Sequence, residues 1–142
     1  MRHVLESGYT LVEGPPAWSD YLALRERAGL SPKTQSQCEG ALRGSWAAVH
    51  VEASDSATVG MGRVIGDGGW YFHIADMAVL PEHQRRGIGD AVLTWLIDRI
   101  RSHAPPDPYI TLLADEPGRP LYIRHGFVPT SPDSIGMKLT KR

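Results

Sequence analysis

Apolar and polar positions alternate with changing period along the chain, and the changes mark out its elements. Residues 8–13 set Tyr9 and Leu11 against Thr10 and Val12 and predict a short strand. Pro15-Pro16 ends it and suits the first turn of a helix, where a missing N–H is not needed. From Trp18, the residues Tyr21, Leu22, Leu24 and Ala28 recur at helical spacing until Gly29. Ser31-Pro32-Lys33-Thr34 predicts a turn, with Thr34 capping a second short helix to about Leu42. Residues 45–52 and 58–65 predict neighbouring strands joined by a hairpin loop at Ala53-Ser54-Asp55-Ser56. After the turn Gly66-Asp67-Gly68-Gly69, residues 70–80 are apolar at nearly every position, as in a strand buried on both faces.

Residues 88–103 predict the clearest helix. Ile88, Val92, Trp95, Leu96 and Ile100 form its apolar stripe, and Asp90, Thr94, Asp98 and Arg101 its polar side. Ala104-Pro105-Pro106 stops it. Residues 109–114 predict a further strand, 121–125 a short helix with Gly126 after its end, and 127–128 with 135–139 a final pair of strands. The order is strand, two helices, three strands, helix, strand, helix, and one or two strands. It predicts one mixed α/β domain over residues 1–142.

Composition narrows the function classes. The chain has 142 residues, 42% apolar and 22% charged, which suits a single core without a disorder signature. Its net charge of −1 lacks the basic excess of a nucleic-acid binder. The six histidines form no ligand cluster, so no metal site is expected. The lone cysteine, Cys38, cannot form an internal disulfide and predicts a helix residue rather than a nucleophile. No segment approaches the roughly 20 apolar residues of a membrane span, and the N-terminus has no signal-peptide run. The expectation is a soluble, cytoplasmic protein.

The chemistry concentrates between Asp76 and Gly89. A strand runs out at Pro81, a polar loop follows, and Gly87 and Gly89 open an amphipathic helix. Unpaired N–H groups at a helix start, with the helix dipole behind them, make an anion cradle. Glycine lets phosphate oxygens approach the backbone, and Arg85 and Arg86 add attraction at the rim. A P-loop would need Lys-Ser/Thr after the last glycine, where Asp90-Ala91 stands. A dinucleotide fingerprint would need a third glycine, where Val92 stands.

With Val79-Leu80-Pro81, then Gln84-Arg85-Arg86-Gly87-Ile88-Gly89, and Leu121-Tyr122-Ile123-Arg124-His125-Gly126-Phe127 further on, the chain resembles the Gcn5-related N-acetyltransferase (GNAT) superfamily. The residue-level likeness covers about residues 76–127, and the element order extends it over almost the whole chain. The resemblance implies an α/β fold with a mixed sheet whose central strand splays from its parallel neighbour. It implies acetyl-CoA as co-substrate and transfer of its acetyl group to a primary amine of a small molecule, by direct attack in a ternary complex. A protein or peptide N-acetyltransferase and a non-catalytic acetyl-CoA-binding module are the alternatives. A homodimer is also implied.

By the same resemblance, Met77, Ala78 and Val79 contact the pantetheine and thioester through their backbone. The amides of Gln84, Arg85, Arg86, Gly87, Ile88 and Gly89, with Asp90, take the pyrophosphate. Tyr122 contacts the coenzyme and protonates the leaving thiolate. Where several relatives carry a glutamate base, this chain has Ala75, leaving Asp76, His73 or a water chain to take the amine proton. Asp115 and Glu116 stand where many relatives place an asparagine touching the coenzyme. The acceptor is expected between the helices of residues 21–42 and the loops 66–69 and 130–134. Glu26, Glu39 and Asp67 either attract a cationic amine or are simply solvated surface.

Overall fold

A computed structural model describes residues 5–141. They divide into two compact units after Leu112. The first carries β1 (Tyr9–Glu13), α1 (Trp18–Arg27), α2 (Gln35–Arg43), β2 (Ala47–Ala53), β3 (Thr58–Gly66), β4 (Tyr71–Val79), α3 (Ile88–His103) and β5 (Tyr109–Leu112). The strands form one sheet in the order β1-β2-β3-β4-β5, antiparallel except for the parallel pair β4–β5. This is the mixed α/β arrangement that the chain's pattern predicts.

Local chemistry explains most boundaries. Thr34 and Gln37 cap each other's backbone N–H groups at the start of α2, a reciprocal capping box. Between β3 and β4, one carboxylate oxygen, Asp67 Oδ1, accepts from the amides of Gly69, Trp70 and Tyr71 at 2.8, 3.0 and 3.2 Å. Those three bonds hold the Asp67 carboxyl below its ordinary range.

The core lies between the sheet and α3, where Val92, Leu93, Leu96 and Ile100 meet Val49, Val51 and Val64, all essentially without exposure. Two glycines make that approach possible. A Cβ on Gly60 would sit 2.6 Å from Ile88 Cγ2, and one on Gly62 would sit 2.8 Å from both Met77 Sδ and Val92 Cγ1. The opposite face of the sheet takes α1, with Tyr21 and Leu24 buried in the contact.

Two features of β4 matter for the site. Opposite β3, Met61 pairs with Ala78 but Arg63 pairs with Ala75, so β4 carries an extra residue, a bulge. Asp76 lies in it at φ 58°, a left-handed conformation unusual for a residue other than glycine. On its other edge β4 pairs with β5 only from Tyr71 to Ile74 and continues to Val79 without it. That is the expected splay. The start of the strand departs from expectation: Trp70 and Tyr71 are exposed, 60% and 42%, and stack with Tyr109 at the sheet's end. Burial on both faces holds only further along, at Phe72, Ile74 and Ala78.

The second unit contains α4 (Arg119–Arg124). Gly126, at φ 93°, ends it: its amide bonds to Ile123 O and that of Phe127 to Tyr122 O, a Schellman pattern. The Phe127 ring meets that of Tyr122 edge-on at 6.2 Å. Residues 127–128 and 135–139 form no strands. Val128, Ile135, Met137 and Leu139 remain exposed instead of lining one buried face.

Candidate functional site

Beyond β4 the chain makes a single 3-10 turn, Pro81–His83, and then reverses into α3 through Arg85 at φ 63° and Gly87 at φ 80°. Two left-handed residues around an ordinary one turn successive amides toward the same side, the geometry of an anion-binding nest. No side chain caps α3, and the amides of Gly87, Ile88 and Gly89 have no acceptor among the described residues. Arg85 and Arg86 are exposed beside them, while the Ile88 side chain is buried against Gly60. Ile88 therefore offers only its backbone. Gln84 donates from Nε2 to Val79 O at 3.1 Å and ties the loop to the end of the strand.

Asp76 is the centre of a second cluster that the sequence did not reveal. Tyr21 Oη donates to Asp76 Oδ2 at 2.5 Å, Arg63 Nε donates to the same oxygen at 2.6 Å, and Arg25 Nη1 donates to Oδ1. Burial alone would raise this carboxyl. The hydrogen bonds from Tyr21 and Arg63 and the two guanidinium charges outweigh it and hold Asp76 below the ordinary carboxylate range. Burial, then the contact with Asp76, pushes the Tyr21 phenol up to about 12. Asp76 thus stays ionised and Tyr21 stays neutral across the physiological range.

Tyr21, Arg63 and Asp76 line a small cleft on the α1 face of the sheet, together with Pro15, Pro16, Leu42, Ala48 and Met61. Tyr21 and Arg25 lie one helical turn apart and so share a face of α1. Arg63 is one position from Gly62 and therefore faces the side opposite α3. One signal was available: an aspartate within an apolar strand requires cationic partners. Their positions needed the tertiary structure.

His73 is not among the residues lining this cleft. Its Nδ1 lies 3.0 Å from Thr111 Oγ1 across the β4–β5 pair, and burial, reinforced by Arg63, lowers its pKa. Tyr122 lies on α4 in the second unit, its hydroxyl raised above the ordinary value by burial and by Asp115. Asp115 precedes the 3-10 turn that leads into α4. Of the acidic residues considered for attracting an amine, Asp67 is committed to its turn and Glu39 accepts from Gln35 Nε2 at 2.8 Å. Cys38 is buried, its thiol directed at Trp18 O. No group of three or more His, Cys, Asp or Glu side chains among the described residues is arranged to hold a metal ion, and no helix among them is long and apolar enough to cross a membrane.

The acetyltransferase (GNAT) domain matches residues 45–129. The chain is 38% identical to a protein of meticillin-resistant Staphylococcus aureus described as a probable acetyltransferase, covering 94% of this chain and 99% of that one, with a TM-score of 0.87. A GNAT-family acetyltransferase of Streptococcus pneumoniae is 28% identical over 94% of this chain and 98% of its own, with a TM-score of 0.74. A GCN5-related N-acetyltransferase of Ralstonia eutropha, 21% identical over 92% and 99% of the two chains with a TM-score of 0.64, shares the fold. No curated protein matches the chain.

Proposed function

Because this chain belongs to the GNAT family of acetyltransferases, we propose that residues 1–142 act as a single N-acetyltransferase domain that acetylates a primary amine of a small molecule. Acetyl-CoA supplies an activated acyl group on a thioester. The observation that supports its placement is the combination of a bulged, splayed β4 with a nest of unpaired amides at the start of α3. The pyrophosphate would lie on the amides from Gln84 to Gly89, with Asp90 close by. The pantetheine arm would run along Met77, Ala78 and Val79, whose edge is free of β5.

At the acyl carbon the reaction forms one bond and breaks one. The amine nitrogen bonds to the thioester carbonyl carbon, the C–S bond breaks, the nitrogen loses a proton, and the thiolate gains one. A backbone N–H at Met77 or Ala78 steadies the carbonyl oxygen as charge develops. Tyr122, protonated throughout the working pH range, gives the proton to sulfur. An alkylamine, with a pKa near 10.4, must first lose its own proton. Asp76 is a weak acceptor for it because two arginines and a tyrosine stabilise its charged form. His73, kept neutral by burial, and water remain. Asp76 instead fixes the bulge.

The test is release of free thiol from acetyl-CoA across a panel of small amines and peptides. Turnover confined to small amines supports this reading. Turnover confined to peptides replaces it with a peptide acetyltransferase. Saturable coenzyme binding without turnover on any acceptor leaves only a binding module.

A further inference from the structure

The chain between β4 and α3 is held at three successive residues, each by a different element. Glu82 accepts from Arg27 Nη2 of α1, His83 Nδ1 shares a hydrogen bond of 2.7 Å with Tyr9 Oη of β1, and Gln84 Nε2 donates to Val79 O of β4. The three are not equal. The Arg27–Glu82 pair keeps 55% and 51% of its exposure, and exposed ion pairs contribute little. Gln84 is exposed and reaches only 5 positions back along the chain. Tyr9 and His83 are half-buried, 74 positions apart, and their rings also meet edge-on at 5.6 Å.

The turn that follows is not self-supporting. Arg85 stands at φ 63°, a left-handed conformation that is strained in a residue with a side chain and persists only where its surroundings impose it. Arg85 and Arg86 are themselves exposed, so the constraint has to come from the residues on either side. After the turn it comes from Ile88, buried against Gly60. Before it, Pro81, Glu82 and Gln84 are exposed, and His83 alone is half-buried. His83 and Ile88 are thus the two fixed points between which Arg85 and Gly87 reverse the chain.

We infer that Tyr9 is a positioning residue for the coenzyme: by holding His83 it keeps this turn in the shape that receives the pyrophosphate, although neither side chain is among those assigned to the coenzyme. The inference rests on the acetyl-CoA reading above. Its physical content is preorganisation. A turn released from Tyr9 samples other conformations, and the fraction still shaped for the phosphates sets the apparent affinity. β1, with two strands between it and β4, thereby bears on the donor site.

Calorimetric titration with acetyl-CoA tests this. Tyr9→Phe removes the hydroxyl, keeps the ring, and should raise Kd about fivefold, as for the loss of one ordinary hydrogen bond. His83→Leu should weaken binding at least as much. His83→Asn, whose amide stands near the position of Nδ1 and either donates or accepts, should stay within about twofold of the wild type because the bond is kept. The double variant Tyr9→Phe/His83→Leu should bind no more weakly than His83→Leu alone, since both changes remove the same bond. Wild-type affinity in Tyr9→Phe overturns the inference. So does a His83→Asn variant that binds as weakly as His83→Leu, or losses that add in the double variant, and the two His83 variants decide by themselves if Tyr9→Phe fails to fold. Each of these results leaves the coenzyme site standing. Wild-type protein that binds no acetyl-CoA overturns the coenzyme reading and this inference with it.

Discussion

Tyr21 donates its phenolic hydrogen to Asp76, 55 positions further along the chain, at 2.5 Å. With Arg25 on the same face of α1 and Arg63 arriving from β3, that bond makes the bulge of β4 part of a four-residue polar cluster. The left-handed backbone at Asp76 costs energy, and the pairing of its side chain offsets that cost.

Asp76→Asn should therefore lower unfolding free energy by roughly 3 kcal/mol, because it leaves two guanidinium groups without a countercharge. Urea unfolding measures this. The pH dependence follows from the sign of the shift. The folded-state pKa of Asp76 lies below its unfolded value of about 3.9. Its contribution is fully present above that value and is lost as pH falls through the lower, folded-state one. Acid should weaken the native protein over that window, and Asp76→Asn should show a shallower loss.

Gly87→Glu is expected to abolish acetyl-CoA binding in calorimetry. The change puts a negative side chain into the nest at a left-handed position where a Cβ itself costs about 1–2 kcal/mol. Gly87→Ala separates the two effects: it carries the strain without the charge and should weaken binding without eliminating it. Full affinity in Gly87→Glu would mean that the phosphates lie elsewhere.

Tyr122→Phe should reduce kcat by about a hundredfold, the lower range of general-acid effects, with coenzyme affinity nearly unchanged. The ring contact with Phe127 survives the substitution, so a thermal melt should move little. Equal turnover would remove the hydroxyl from the mechanism.

Gly62→Ala should destabilise the protein by about 1–3 kcal/mol through overpacking, read as a lower Tm. The new methyl group would meet Met77 Sδ, Val92 Cγ1 and Leu96 Cδ1, all under 3.0 Å.

The parts legible in the sequence were those encoded over short distances. α3 spans Ile88–His103 as its apolar stripe predicts, and Thr34 caps α2. Gly87 announces the left-handed turn into α3 because helix starts and such turns are local chemistry. The cluster around Asp76 was not legible. Tyr21 looked like one more apolar position of α1, and nothing near Arg63 signals that its strand position faces a carboxylate. The strands expected at 127–128 and 135–139 failed for a related reason: apolar spacing states what a segment can bury but not whether a partner is there to bury it.

Asp67 reaches further than its place at a surface turn suggests. By clasping three consecutive amides, it decides which residue of the outgoing strand meets which residue of the incoming one. Misalignment by a single position would swap inward and outward side chains along the whole ribbon and point the aspartate nine places later at α3, away from both arginines. Such a clasp closes within one short stretch of chain, so the hairpin is able to choose its alignment before distant segments collapse onto it.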